Sequence, residues 1–171
     1  IISLNCETDF VAKNKDFLNF ATEILNIAEN VNSIDDLLNS KMGSLIIADK
    51  LVEQTGIIGE KIEIGNFQKL SGKYIGGYVH AGNKIASLVA LSDSLPFSKE
   101  VSKNVAMQVA AMNPLALNEN SVDSIIVEKE TEIIKEQLIK EGRPENIVDK
   151  IIVGKLKRFY KDNTLVNQSY I

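Results

Sequence analysis

The chain holds one histidine, His80, and one cysteine, Cys6, so its inventory for covalent or metal chemistry is short. A zinc site or a Cys-His nucleophile and base pair would need both residues to converge with partners drawn from elsewhere. No dense carboxylate cluster stands ready to supply them. No GxxxxGK[ST] loop occurs, and Gly72, Gly76, Gly77 and Gly82 do not form a GxGxxG pattern after a strand, which argues against phosphate cradling by this chain. The basic run Lys155-Leu156-Lys157-Arg158 is short, and the chain's basic residues are otherwise spread among acids, the pattern of a solvated face rather than a groove-binding stripe. What is left is Thr8-Asp9-Phe10-Val11, an acid and an aromatic ring at a polar corner. By type alone this reads as a turn cap followed by a core aromatic. Ile58-Gly59 likewise reads as a core residue and a turn glycine, His80 as a surface or capping histidine at a hairpin, and Cys6 as a small buried hydrophobe.

The elements that must position these residues follow from periodicity. Ile1-Ile2-Ser3-Leu4-Asn5-Cys6 is a strand candidate that runs into the turn Glu7-Thr8-Asp9. From Asn14, a cap, Phe17, Phe20, Ala21, Ile24, Ile27, Ala28 and Val31 recur at three- and four-residue spacing and predict an amphipathic helix. Ser33 caps a short helix over 34–38, and a further helix is expected over about 45–54, broken by Gly56 and Gly59. Strands are predicted over 61–68, 74–80 and 84–91, the last two joined by a hairpin-like turn at Ala81-Gly82-Asn83. Helices are predicted over 98–112, stopped by Asn113-Pro114, and over 123–141, ended by Gly142. Pro144 opens another over 145–160, and a last strand is expected over 164–170.

The order strand, polar turn, Phe and amphipathic helix over 2–24 is echoed over 85–109, with Phe97 following Ser92-Asp93-Ser94. The echo predicts an α+β fold of two related subdomains, each a small antiparallel sheet covered by helices as a two-layer α/β sandwich. They are expected at 1–72, lacking its opening strand, and 73–171. The apolar start at Ile1 without Met gives the expectation that an upstream piece is missing.

With 44% hydrophobic and 25% charged residues over 171 positions, the chain is long and apolar enough to bury a core. A formal net charge of −4 and a pI of about 5.1 argue against a nucleic-acid partner, which clustered Lys and Arg would serve. One thiol cannot close an internal disulfide and suits a reducing compartment. No apolar run approaches a membrane span and no signal-peptide pattern opens the chain, so a soluble cytoplasmic protein is expected.

The stretch Asn5-Cys6-Glu7-Thr8-Asp9-Phe10-Val11-Ala12-Lys13-Asn14, followed by Phe17, resembles the signature of the elongation factor Ts family nearly residue for residue. Similarity extends through Ile58-Gly59-Glu60, Tyr78-Val79-His80-Ala81-Gly82, Val109-Ala110-Ala111 with Pro114, Gly142-Arg143-Pro144, Gly154-Lys155-Leu156 and Phe159-Tyr160. Two departures lie outside the signature: Ala86 stands where the family often has Gly, and Gln168-Ser169-Tyr170 replaces a Gln-Pro-Phe. The family's small N-terminal domain, similar to a ubiquitin-associated fold, has no counterpart in this sequence.

The resemblance implies a guanine nucleotide exchange factor that acts by binding, not an enzyme, and carries no cofactor or metal of its own. Its implied partner is elongation factor Tu, in GDP-bound and nucleotide-free forms; a homodimer is left open, and neither nucleic acid nor membrane is implied. Asp9 and Phe10, flanked by Thr8 and Val11, match the positions that enter a groove beside that partner's magnesium site. Ile58 and Gly59 match a turn against the same nucleotide domain, and His80 a histidine that presses on a partner helix. The competing expectation is a scaffold or chaperone-like binder that shares the fold without promoting exchange.

Overall fold

The computed structural model describes residues 1–171 apart from the side chain of Glu145. The chain is α+β, and its residues form two compact units, Ile1–Ser98 and Lys99–Ile171. The subdomain boundary expected near residue 72 falls inside the first of these.

In the first unit β1 (Ile2–Asn5) pairs antiparallel with β4 (Glu63–Phe67), Ile2 opposite Phe67 and Asn5 opposite Glu63. A bulge falls where Ser3 faces Asn66 and Leu4 faces Ile64, which leaves Gly65 as the extra residue. A Cβ there would lie 2.3 Å from Asn5 Nδ2, so glycine lets the Asn5 side chain lie against the bulge.

Against β1 packs α2 (Lys15–Ala28), opened by Asn14, whose Oδ1 accepts from Asp16 N at 2.7 Å. Its stripe buries Phe17, Phe20, Ile24 and Ala28. Leu37 joins them from α3 (Ile34–Leu38), which Ser33 caps as its residue type predicts. Ile62 and Ile64 complete the same core, with Ile2, Leu4, Cys6 and Val11 packed at its edge. Burial of each large aliphatic chain contributes roughly 1.5–3 kcal/mol, and this one core fixes where β1 ends and the Thr8 corner begins.

The helix expected over about 45–54 lies further along. Residues 41–46 form a small hairpin, β2 (Lys41–Met42) with β3 (Leu45–Ile46), turned at Gly43 with φ 70°. Next comes α4 (Ile47–Ile58), which runs through Gly56 and stops only at Gly59, with φ 78°. Gly59 is left-handed and its N–H reaches back to Thr55 O at 2.9 Å, a glycine helix end.

The strands expected over 74–80 and 84–91 are β5 (Tyr74–Val79) and β6 (Ala86–Leu91), paired antiparallel from Tyr74 opposite Leu91 to Val79 opposite Ala86. Their turn is held by Asn83 N donating to His80 O at 3.0 Å, with Gly82 and Asn83 both at positive φ.

In the second unit α5 spans Ser98–Met112, the predicted range, α6 spans Ser124–Lys140 and α7 spans Glu145–Asn163. The last two form an αα-hairpin through Gly142, at φ 68°, and bury Ile134 and Leu138 with Val148 and Ile152. The strand expected over 164–170 does not form. Thr164, fully buried, makes a single parallel bridge to Ala116, and Asn167 N and Gln168 N both turn back to Thr164 O at 3.0 and 3.1 Å. Buried Gln108 then takes the segment's polar groups: its Nε2 donates to Gln168 Oε1 and Ser169 O, and its Oε1 accepts from Ile171 N. Among the described residues no helix is long and apolar enough to cross a membrane.

Candidate functional site

The polar corner after β1 is a single helical turn, α1 (Asp9–Ala12), with Thr8 as its cap. Thr8 Oγ1 accepts from Val11 N at 3.4 Å, and Ala12 N donates to Thr8 O at 3.2 Å. Thr8, rather than Asp9, therefore does the capping. Val11 turns inward onto the core edge, while Phe10 is 84% exposed. The core-aromatic reading of Phe10 is thus incorrect. An adjacent residue on a one-turn helix points elsewhere, so anchoring Val11 swings the ring outward.

What holds the corner is Glu60, one residue past Gly59. Its Oε2 accepts from Glu7 N at 3.0 Å and Thr8 N at 2.9 Å, and its Oε1 accepts from Thr8 Oγ1 at 2.6 Å. In return Glu7 Oε1 accepts from Lys61 N at 3.2 Å. These bonds join the end of β1 to the start of the return into β4, and so bring Thr8-Asp9-Phe10-Val11 beside Ile58-Gly59. The Thr8 hydroxyl first, and then the Thr8 and Glu7 amides, hold the Glu60 carboxyl below the usual glutamate range, since hydrogen bonds to a carboxylate favour its charged form.

Asp9 sits exposed in the first turn, where an acid suits the helix dipole. Lys13 Nζ meets its Oδ2 at 2.8 Å, and that bond and charge hold the Asp9 carboxyl below its ordinary value, with a smaller pull from Lys84. Lys84 also acts on Cys6. The Lys84 charge is therefore felt at the Thr8 corner. Cys6 donates its S–H to Thr8 O at 3.3 Å; burial first, and then the Glu60 charge, push its thiol up, the opposite of an activated nucleophile.

Ile58 packs on the core edge and Gly59 ends α4, so each has a structural task in the free chain. His80 is exposed, with Nδ1 at 2.9 Å from Tyr78 Oη and the two rings tilted at 5.9 Å between centroids. Sequence reasoning missed Glu60 as the brace of this corner. The available signal for Glu60 was its place directly after the helix-ending glycine, where one carboxylate can face the tip of a neighbouring strand.

The family model described as Elongation factor TS matches residues 7–171. The elongation factor Ts of Christiangramia forsetii is 57% identical over 171 residues, 100% of this chain and 62% of that protein. That of Flavobacterium psychrophilum is 54% identical with the same coverage. In Clostridium perfringens the identity is 38% over 178 residues, 100% of this chain and 59% of that protein. The chain thus spans about 62% of the length of the first of these curated relatives. A match that runs from Glu7 to Ile171 takes in the Thr8 corner and all but the first six residues of the two units, and the chain belongs to the elongation factor Ts family.

Proposed function

We propose that this chain is the exchange-promoting core of a cytoplasmic translation factor, which binds elongation factor Tu and speeds GDP release without covalent chemistry. The observation that carries the reading is the presentation of Phe10: a ring 84% exposed on a turn whose backbone is fixed by the Thr8 cap and the Glu60 carboxylate. An apolar ring so displayed keeps most of its burial free energy available to a partner's groove. In the binding mode that family resemblance suggests, Phe10 parts two packed helices beside the partner's magnesium site and Asp9 meets polar groups at the rim. Ile58-Gly59 offers close backbone approach nearby, where the glycine has no Cβ to stand in the way. His80, on the turn beside Lys84, adds a second contact.

Exchange by binding requires only that the chain prefer the nucleotide-free partner over its GDP-bound form. The coupling is reciprocal: whatever factor the chain takes from GDP affinity, GDP takes from the chain's affinity, so incoming GTP releases it again. The test is direct. Elongation factor Tu loaded with a fluorescent GDP is mixed with the chain and excess nucleotide, with the full-length Christiangramia forsetii relative as positive control. Faster release is the expected result. Binding with no acceleration, where the control accelerates, overturns exchange in favour of a scaffold.

A further inference from the structure

We propose that Glu60 is a positioning residue for exchange: its carboxylate sets the Thr8 turn, and through that turn the direction in which Phe10 projects. The proposal rests on the exchange reading above. A single helical turn does not hold itself, because nucleation fixes several residues for one hydrogen bond. Phe10, exposed as it is, gains little placement from its own packing and takes its position from the backbone beneath it. That backbone has two anchors: Val11 on the core edge and the Thr8 cap.

The cap works only if its hydroxyl is turned correctly. A threonine hydroxyl has one proton and two lone pairs. Donation to Glu60 Oε1 at 2.6 Å points the proton away from α1 and leaves a lone pair facing Val11 N at 3.4 Å. The same carboxylate takes the amides of Glu7 and Thr8, and Glu7 closes the ring on Lys61 N. Charge-assisted bonds of this kind are stronger than neutral ones. They join residues 52 and 53 positions apart, so the corner's geometry is set from the far end of α4. Glu60 acts on the partner by way of the ring.

The experiment compares Glu60→Ala, Glu60→Gln, Phe10→Ala and the double variant Glu60→Ala/Phe10→Ala for GDP release from elongation factor Tu, alongside amide hydrogen exchange in the free chain. Freeing the one or two backbone residues that the clamp holds is expected to slow release roughly 5- to 30-fold in Glu60→Ala. Glu60→Gln is expected to recover most of the rate, since one amide oxygen can accept both backbone N–H groups and the amide nitrogen can donate to Thr8 Oγ1. Because the effect runs through Phe10, the double variant should be no slower than Phe10→Ala alone, whereas independent losses would multiply. Amide exchange at Glu7 and Thr8 should quicken in Glu60→Ala while that within α2 stays the same. Losses that multiply, or a Glu60→Ala rate within twofold of the parent, overturn the positioning role. Unchanged protection at Glu7 and Thr8 overturns the clamp itself, with no partner involved. If Glu60→Ala does not fold, the same double-variant comparison is made with Glu60→Asp, which draws the carboxylate back by one methylene from the Thr8 amide and hydroxyl. A parent chain that gives no acceleration overturns the exchange reading instead, and the amide exchange then reads the clamp by itself.

Discussion

Replacing Phe10 by Ala tests the proposed site at its most exposed point. Full burial of a phenylalanine side chain contributes roughly 1.5–3 kcal/mol. The ring is 84% exposed, so about 1.2–2.5 kcal/mol is still available to a docking partner. At 1.4 kcal/mol for each tenfold change, the variant should bind nucleotide-free elongation factor Tu about 7- to 60-fold more weakly. Folding should barely notice: an exposed substitution away from caps and core shifts stability by about 0.5 kcal/mol or less, and alanine suits a helical turn. Two measurements decide the matter, a titration of the nucleotide-free partner and a urea unfolding curve of the free chain. Affinity within twofold of the parent would refute the docking argument. A loss of stability beyond about 1 kcal/mol would refute it differently, by showing that the ring belongs to the chain's own core.

Gly59→Ala should lower the urea midpoint with an unchanged slope, at a cost of about 1–2 kcal/mol. The space around a new Cβ is open, so the cost comes from φ 78° alone; a midpoint equal to the parent's would contradict it. Ile24→Ala removes a fully buried side chain from the first unit and should cost about 2–5 kcal/mol in the same assay, a result below about 1 kcal/mol being inconsistent with that core. The acid limb of stability should carry Glu60. Its folded pKa is depressed, chiefly by the Thr8 hydroxyl, so its contribution is complete above the unfolded value near about 4.3 and is lost as pH falls through the lower folded value. Glu60→Gln should therefore flatten the slope of stability against pH in that range, leaving the part due to Asp9, which Lys13 shifts the same way; an unchanged slope would show that the carboxylate is not clamped in solution.

Local signals in the sequence were enough wherever an element is decided by its own residues. The stripe from Phe17 to Ala28 with its Asn14 cap is buried as its spacing requires, and the helix over Ser98–Met112 stops at Asn113, which takes the left-handed φ of 42° that suits an asparagine at a helix end. Elements decided from a distance were not legible. Leu165, Val166, Tyr170 and Ile171 have the residue types of a strand, but Asn167 N and Gln168 N turn back to Thr164 O and Gln108 on α5 takes the tail beyond them. The one-turn helix at Asp9 is too short to leave a periodic signal, and Glu60, which braces it, lies 52 residues from Thr8. The same distinction separates the candidate residues. Thr8, Asp9, Phe10 and Val11 were visible as a motif, yet nothing in their types says that Val11 turns in and Phe10 turns out. That follows from the core edge on which Val11 packs.

The bonds at this corner differ in a way that suits a surface that must keep its shape and also change partners. Thr8 is held by two bonds to one carboxylate and by the helix it caps, so moving it would break all of them together. Asp9 is held by one exposed ion pair with Lys13, and such pairs are weak, screened by salt and readily exchanged. A partner offering a polar group at the rim can therefore take the Asp9 carboxylate from Lys13 at little cost, while the turn beneath Phe10 stays as it was. Added salt should accordingly weaken the Asp9 pairing long before it disturbs the Thr8 corner. The exchange by binding proposed above would need that order of strengths, since a wedge that rearranged on contact would spend its burial energy on its own ordering instead of on the partner.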